Sequence, residues 1–471
     1  MVDPFQSATE LAAQVRRREV TPSELVEATL ARIELHEPRL NAFCHVTADA
    51  ARTVAREQDA RLAAGEQDLP PFFGVPIAIK DLHPVAGWPL CSASIGAAHP
   101  VMERDAAAVA ALRGAGFVFV GGTTSPEFGT VSVTESHRHG VTRNPWDLGR
   151  SPGGSSGGAA AAVAAGVLPI AHGSDGAGSI REPASYCGLV GLKPSRALVP
   201  SDIHAMEGLA TEGVLTRTVA DTAAALDVFA AAPRRSWYVA PPAARSYAES
   251  ASVDPPRLRI GCNLQPAFPG VDVHPHAAQI GRAAAGLLSD LGHDVRDVRL
   301  PGLDPEWFER TFDVLYAAGS ADVPIEDEAR VEPLNRTLRE RARATDALTY
   351  IDAVYALQLR SAELIGLWDE IDVMVTPTNP LLAPPEGWQW EGQEDDPWRP
   401  LRRAEQTASL TVLGNVLGLP AISIPLFSQP DGMPLGVQLM GRPWQDGTVL
   451  SLAGELERAR PWHDRRPAGF A

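Results

Sequence analysis

Arg150-Ser-Pro-Gly-Gly-Ser-Ser-Gly-Gly158, an alanine-rich run, Gly173-Ser-Asp-Gly-Ala-Gly-Ser-Ile-Arg181 and finally Gly191-Leu-Lys-Pro-Ser195 make up the stretch that decides how this chain reads. Two glycine-dense turns bracket a small-residue segment. Each sets serine among residues with little or no side chain. Such a backbone approaches a reacting group closely and reaches φ values that other residues rarely adopt. Successive N–H groups in a turn of this kind bind an anion or an oxyanion.

The first turn, Gly153-Gly-Ser-Ser-Gly157, matches the letters of the Gly-x-Ser-x-Gly nucleophile elbow. That elbow needs a buried strand directly before it. Thr142-Arg-Asn-Pro-Trp-Asp-Leu-Gly-Arg-Ser-Pro152 holds two prolines and no apolar run, so the elbow reading is set aside. The basic residues are more telling. Of 41 Lys and Arg, only Lys80 and Lys193 are lysine. Arginine keeps its proton in a protein, whereas a buried lysine can be brought near neutrality. Lys193 sits in Gly-Leu-Lys-Pro-Ser, which reads as a loop. Lys80 ends Phe73-Gly-Val-Pro-Ile-Ala-Ile-Lys80, a short apolar run that reads as a buried strand. Desolvation there lowers an amine's pKa toward that of a general base.

With these pieces in place, the chain resembles the amidase signature family of serine hydrolases. The matching stretches are Gly74-Val-Pro-Ile-Ala-Ile-Lys-Asp81, Thr142-Arg-Asn-Pro-Trp146, Gly153-Gly-Ser-Ser-Gly-Gly158, Gly173 to Arg181 and Gly188-Leu-Val-Gly-Leu-Lys-Pro194. A C-terminal match runs from Asn415 to Gly441. Within the family it is most similar to 6-aminohexanoate cyclic dimer hydrolase-like amidases and urethane-hydrolysing amidases. The resemblance implies Ser179 as nucleophile, Ser155 as bridging serine after a cis Gly154–Ser155 bond, and Lys80 as base. It also implies an oxyanion hole of the backbone N–H groups of Gly176, Ala177, Gly178 and Ser179. The implied reaction is hydrolysis of carboxamide or carbamate C–N bonds through an acyl-enzyme, with side esterase activity. The chain departs from the family pattern at Ser174, where threonine is common, at Ala177, where glycine is common, and at Glu182, where an apolar residue is more usual. Gly121-Gly-Thr-Thr-Ser-Pro-Glu127 also lacks the lysine and asparagine often found there.

The remaining composition narrows the class. A length of 471 residues with 45% apolar and 21% charged residues reads as a globular protein with a large core. A net charge of −17 without a basic cluster argues against nucleic acid or an anionic membrane as partner. Met1-Val-Asp-Pro-Phe5 carries no basic-then-apolar signal, so a cytoplasmic location is expected. Cys44, Cys91, Cys187 and Cys262 are scattered and read as reduced core thiols. The pairs His137/His139 and His274/His276 have Glu135 and Asp272 close by but no neighbouring Cys or third His, so no metal and no other cofactor is expected.

Alternation of strands with alanine-rich helices fits one α/β domain spanning 1–471, with its signature core at roughly 70–200. The resemblance gives it a large twisted mixed sheet covered by helices on both faces. Helices are expected at 7–18, 22–36, 47–64, 106–115, 159–165, 218–230, 276–291, 350–367 and 448–456. Strands are expected at 117–120, 167–171, 258–261, 293–298, 372–376, 421–426 and 434–440. Segment 128–139 reads as loop, 231–257 as a surface connection, and 320–347 as exposed charged helix. By family position the substrate meets Trp88, Phe128, Ile203, Met206 and Leu209, which favours apolar or aryl groups. Arg138 and Arg150 are the nearest candidates for a substrate carboxylate. The Trp- and Pro-rich 379–400 segment reads as lid, substrate wall or packed loop. The expected partner is a small amide or carbamate, on a monomer or homodimer. Alternatives are hydrolysis of 6-aminohexanoate amides, or an amidotransferase A-type subunit working in a complex.

Overall fold

The computed structural model describes residues 3–232, 236–300 and 303–470. Its strands are β1 (Phe43–Val46), β2 (Pro76–Lys80), β3 (Val118–Thr123), β4 (Glu135–Ser136), β5 (Gly140–Val141), β6 (Ile170–Asp175) and β7 (Val190–Lys193). They continue with β8 (Thr211–Thr216), β9 (Arg259–Cys262), β10 (Asp294–Asp297), β11 (Val373–Pro377), β12 (Ala421–Ser428) and β13 (Pro434–Gly441). One mixed sheet orders eleven of them β1-β3-β2-β6-β8-β7-β12-β13-β11-β9-β10, and β4 with β5 makes a separate hairpin.

The sheet is covered on both faces because its strands alternate. Along β2, Ile77 and Ile79 join Leu11, Val15 and Leu112, from helices Ala8–Arg16 and Ala107–Gly114. Ala78 between them joins Val26, Leu30 and the alanines of helix Gly157–Ala164. That last helix is buried at every residue. Side chains no larger than valine let it lie close against the strands.

Local signals set many element boundaries. Helix Pro22–Leu40 starts on a capping box between Thr21 and Glu24. It runs past the expected end at 36, tolerates Pro38, and stops at Asn41 in the left-handed region. Strand β6 begins later than expected and reaches further, to Asp175. The N–H groups of Val167 and Leu168 fold back onto the Ala162 carbonyl, so those residues finish the preceding helix. Gly173 and Ser174 stay extended because β8, which the sequence did not signal, pairs with β6 from Ile170 to Asp175. Lys193 ends strand β7 and is buried, where a loop was expected. Segment 128–139 contains the first strand of the β4–β5 hairpin. The charged 320–347 region holds helix Pro333–Ala344, which buries Leu334, Asn335, Leu338 and Arg339. Arg339 is enclosed because it donates to the Ser320 carbonyl at 2.7 Å and to Glu328 at 2.9 Å. The connection at 231–257 includes helix Tyr247–Ser252, and Pro233, Arg234 and Arg235 lie outside the described residues.

Parallel strands β3, β2 and β6 all end at one edge of the sheet, at Thr123, Lys80 and Asp175. Ligand sites of open α/β sheets lie outside such carboxyl ends. The turn after β6 is clamped there by one buried ion pair. Arg181 grips Asp175 with Nη2–Oδ1 at 2.8 Å and Nε–Oδ2 at 2.9 Å, both side chains being inaccessible. Arg181 also donates to the Thr411 carbonyl, Gln438 and Asn415 at 2.7, 2.8 and 2.6 Å. Asn415 returns two 3.0 Å bonds to Asp175. The glycine turn is thereby held at both ends and tied to the C-terminal third of the chain. Arg181→Met strands the Asp175 carboxylate in the interior, at an expected cost of about 3–5 kcal/mol. The measurement is the shift in denaturation midpoint. An unchanged midpoint would show that the clamp carries no weight.

Candidate active site

Two hydroxyl-bearing turns meet at this sheet edge. Lys80, 1% exposed, donates to Ser155 Oγ at 2.8 Å, to Ser174 Oγ at 3.1 Å and to the Ser174 carbonyl at 3.3 Å. The Gly154–Ser155 peptide bond is cis. Gly154 has no room for a side chain, since a Cβ there would strike the Val133 backbone. The turns are stitched together. The Ser156 N–H donates to the Ser179 carbonyl at 3.2 Å, and the Ser156 hydroxyl donates to the Ser174 carbonyl at 3.2 Å.

Ser155, Gly176, Ala177, Gly178 and Ser179 share the wall of one cavity of about 470 Å³. Among the described residues, the N–H groups of 176–179 donate to no protein acceptor. A Cβ on Gly178 would collide with the Glu182 carboxylate and the Thr411 hydroxyl. The turn therefore requires glycine at that position.

Charge around Lys80 is arranged at a distance. Burial pushes its ammonium down to about 7, while Asp175 and then Glu212 pull it back up. Neither acid touches it. Burial alone would raise Asp175, but Arg181 outweighs that and brings it to about 2. Glu212 Oε2 lies 2.9 Å from His172 Nε2 and 3.2 Å from His83 Nδ1. Burial would raise this carboxyl too, and the two imidazoles with Lys80 keep it below its ordinary value. Burial drops His83 to about 4. Sequence reasoning passed over His83, His172 and Glu212. A histidine two residues after Asp81 and another inside an apolar strand were the available signals. Glu212 gave none, because its strand was not read.

Of the residues singled out for the substrate, Phe128, Ile203 and Met206 line the cavity, with Ile203 73% exposed at its rim. Trp88 faces a second, smaller cavity with Phe117 and Phe119, and its ring meets His45 edge-on. Leu209 is buried in the core that holds Phe312. Arg138 binds the Ser94 carbonyl and Arg150 the Ala383 carbonyl, both away from the cavity. The tryptophans of 379–400 also lie off it. Trp390 donates to Glu135 at 2.9 Å, Arg403 stacks on Trp388, and Arg341 on Trp398. The next helix, Arg399–Ala408, does reach the cavity, through Leu401, Ala404, Glu405 and Ala408. Two groups of three possible metal ligands occur among the described residues, Cys44-Asp81-His139 and His83-His172-Glu212. Among the described residues no helix is long and apolar enough to cross a membrane.

Comparison with known proteins places the chain as a whole. The Amidase family model matches residues 24–450. The 6-aminohexanoate-cyclic-dimer hydrolase of Paenarthrobacter ureafaciens is 36% identical over 99% of this chain and 97% of that protein. A structure of 6-aminohexanoate cyclic dimer hydrolase complexed with substrate superposes with a TM-score of 0.92, at 34% identity and full coverage of both chains. A bacterial aryl acylamidase of the amidase signature family gives a TM-score of 0.86 at 26% identity, covering 99% of each chain. The whole scaffold thus recurs in known amide hydrolases, and the family model spans most of the sequence: the chain belongs to the amidase family.

Proposed function

We propose that this chain hydrolyses carboxamide or carbamate C–N bonds of small, largely apolar or aryl substrates, with Ser179, Ser155 and Lys80 as its triad. The observation that carries the reading is Lys80. It is buried, burial brings it down to about 7, and it lies 2.8 Å from Ser155 Oγ, which lines the same cavity as Ser179. Neutral Lys80 draws the Ser155 proton while Ser155 Oγ takes the proton of Ser179. Ser179 Oγ attacks the carbonyl carbon. The oxyanion is received by the N–H groups of 176–179, which need no rearrangement to bind it. The relay then runs in reverse. Lys80 returns a proton through Ser155 to the leaving nitrogen, the C–N bond breaks, and the acyl group stays on Ser179. Water enters, gives its proton to the same relay, and releases the acid. A carbamate presents the same carbonyl and C–N bond, and an activated ester a more electrophilic carbonyl with a better leaving group.

The chain acts as one domain without a cofactor, as a cytoplasmic monomer or homodimer. A second reading rests on similarity to the hydrolases named for the 6-aminohexanoate cyclic dimer, namely that aminohexanoate amides are the substrates. An anilide, the carbamate of the same aniline and a linear amide of 6-aminohexanoate, all read as released amine, separate the two. Turnover of the first two supports the aryl reading, and turnover of the third alone supports the second.

Ser179→Ala is expected to abolish amine release from every member of this series. Lys80→Ala is expected to lower kcat/KM by about 10³-fold or more, and Lys80→Arg not to restore it, because arginine stays protonated. Wild-type rates in either lysine variant would overturn the relay. The active form carries neutral Lys80, so kcat/KM rises with pH through about 7 and levels off above it. Glu212→Gln removes a negative charge that favours the ammonium, so that rise moves to lower pH. A pH series on both proteins checks the direction.

A further inference from the structure

The cavity wall is not uniformly apolar. Seven carboxyl residues line it: Asp105, Asp202 and Glu212 have basic partners and Asp322 is exposed, while the three enclosed or half-buried carboxyls Glu182, Asp313 and Glu405 have no salt-bridge partner among the described residues. Glu182 is 1% exposed. Its Oε1 meets the Thr411 hydroxyl at 3.2 Å, and its Oε2 has no hydrogen-bond partner within the protein. The Ser132 hydroxyl, also on the wall, favours its ionised form. Asp313 is 6% exposed and neither accepts a hydrogen bond nor pairs with a cation among the described residues. All three carboxyls act on Tyr316, which lines the same wall. Phe312 stacks on Tyr316 and on Phe308, with centroids 5.7 and 4.6 Å apart.

The nearby cations are committed elsewhere. Arg341, which acts on Asp313 and Glu405, lies 3.7 Å from the Glu309 carboxylate, donates to the Glu309 carbonyl at 2.5 Å and stacks on Trp398. Arg402, which acts on Glu405, is bound to Asp396. Arg181 is spent on Asp175. Burial pushes Glu182 up to about 8. It also raises Asp313 and Glu405, and each of these two is further raised by neighbouring acids. Enclosed carboxyls without a counter-ion are costly, and a cation arriving among them relieves that cost. Stacked aromatic rings beside them add attraction for an ammonium.

The geometry points to a cation subsite in which Asp313, Glu405 and Glu182, grouped around Tyr316, take the ammonium end of an ω-aminoacyl substrate. The acyl side follows from the flanks of Ser179. Lys80 and Ser155 hold the flank toward Ser174, where the leaving nitrogen must lie to receive its proton. Glu182 and Thr411 hold the flank toward Gly178. Phe308, Phe312 and Tyr316 are left to pack the methylene chain. This inference rests on the proposal that Ser179 attacks an amide carbonyl, and it narrows that proposal to acyl groups ending in an amine.

The test compares 6-aminohexanoyl 4-nitroanilide with heptanoyl 4-nitroanilide, which replaces the ammonium by a methyl group at equal chain length. Wild-type kcat/KM is expected to favour the ammonium substrate by about tenfold or more, the scale of one charged hydrogen bond. In the Asp313→Asn/Glu405→Gln double variant that ratio is expected to fall toward one. A wild-type ratio near one, or a ratio unchanged in the double variant, would overturn the subsite. An equal loss on both substrates also leaves the ratio unchanged and counts against it. Calorimetry on Ser179→Ala separates this proposal from the catalytic one. Hexylammonium is expected to bind about tenfold or more tightly than 1-hexanol, without turnover. Hydrolysis of the neutral anilide with no preference for ammonium sinks the subsite alone. A preference for hexylammonium in a protein that cleaves neither anilide sinks the hydrolase reading alone.

Discussion

An ammonium taken out of water with no counter-charge in contact is the constraint on which this structure turns. Lys80 is enclosed by the sheet and by two serine turns, and its contacts are hydroxyls and a carbonyl. Removing an ion from water costs several kcal/mol even after relaxation, so a group in this position titrates near neutrality. The two acids that act on it are each engaged by another partner. Asp175 belongs to Arg181, and Glu212 to His83 and His172. Had either carboxylate touched Nζ, a salt bridge would have fixed the proton on the lysine and left an amine unable to act as a base. The surrounding structure keeps these charges close enough to pull and too occupied to bind.

The same ion pair that keeps Asp175 from the lysine also fixes the turn after it. Asp175 accepts the Ile180 N–H at 3.2 Å as well as the Arg181 guanidinium, so the turn closes on the side chain at its own start. Thr411 donates to the Ala177 carbonyl at 2.6 Å. With carbonyls bound outward, the N–H groups of 176–179 stay free for a ligand. The tuning of Lys80 and the arrangement of these donors are therefore two results of one buried cluster. Change at Arg181, Asn415 or Thr411 is felt by both.

Much of this was legible in the sequence, for identifiable reasons. Ile77 and Ile79 around Ala78 announced a buried strand ending at Lys80. Thr21, Pro22 and Glu24 announced a helix start. The glycines of 153–158 and 173–178 announced two close-approach turns. Legibility failed where long-range pairing overrode local pattern. Gly173 and Ser174 carry no strand propensity and are extended only because β8 lies beside them. Lys193 looked like loop because proline follows it, yet it pairs with Ala421 of β12. The chamber misled in a more instructive way. Phe128 and Met206 are on its wall as expected, but the acids at 313 and 405 sit in segments that the sequence left without an assigned role. Charged residues on an amphipathic helix face water by default. Nothing local marks the few that face an internal chamber instead.

The two lysines of this arginine-rich chain form an internal comparison. Lys80 and Lys193 both end strands, both are 1% exposed, and burial brings both down to about 7. Burial and a lowered pKa are therefore not enough to identify a base. Lys193 spends its ammonium on the Pro194 carbonyl at 2.7 Å, an acceptor with no proton to give. Lys80 points at a hydroxyl that opens onto the cavity. What distinguishes them is the group at the end of the amine, and that is set by the turn carrying Ser155, which stands far from either lysine in sequence. Elsewhere arginine carries the positive charge of the fold, where a permanent cation is harmless. Lysine is kept for the interior, where only an amine can lose its proton, and of the two interior sites one is joined to the cavity through a hydroxyl.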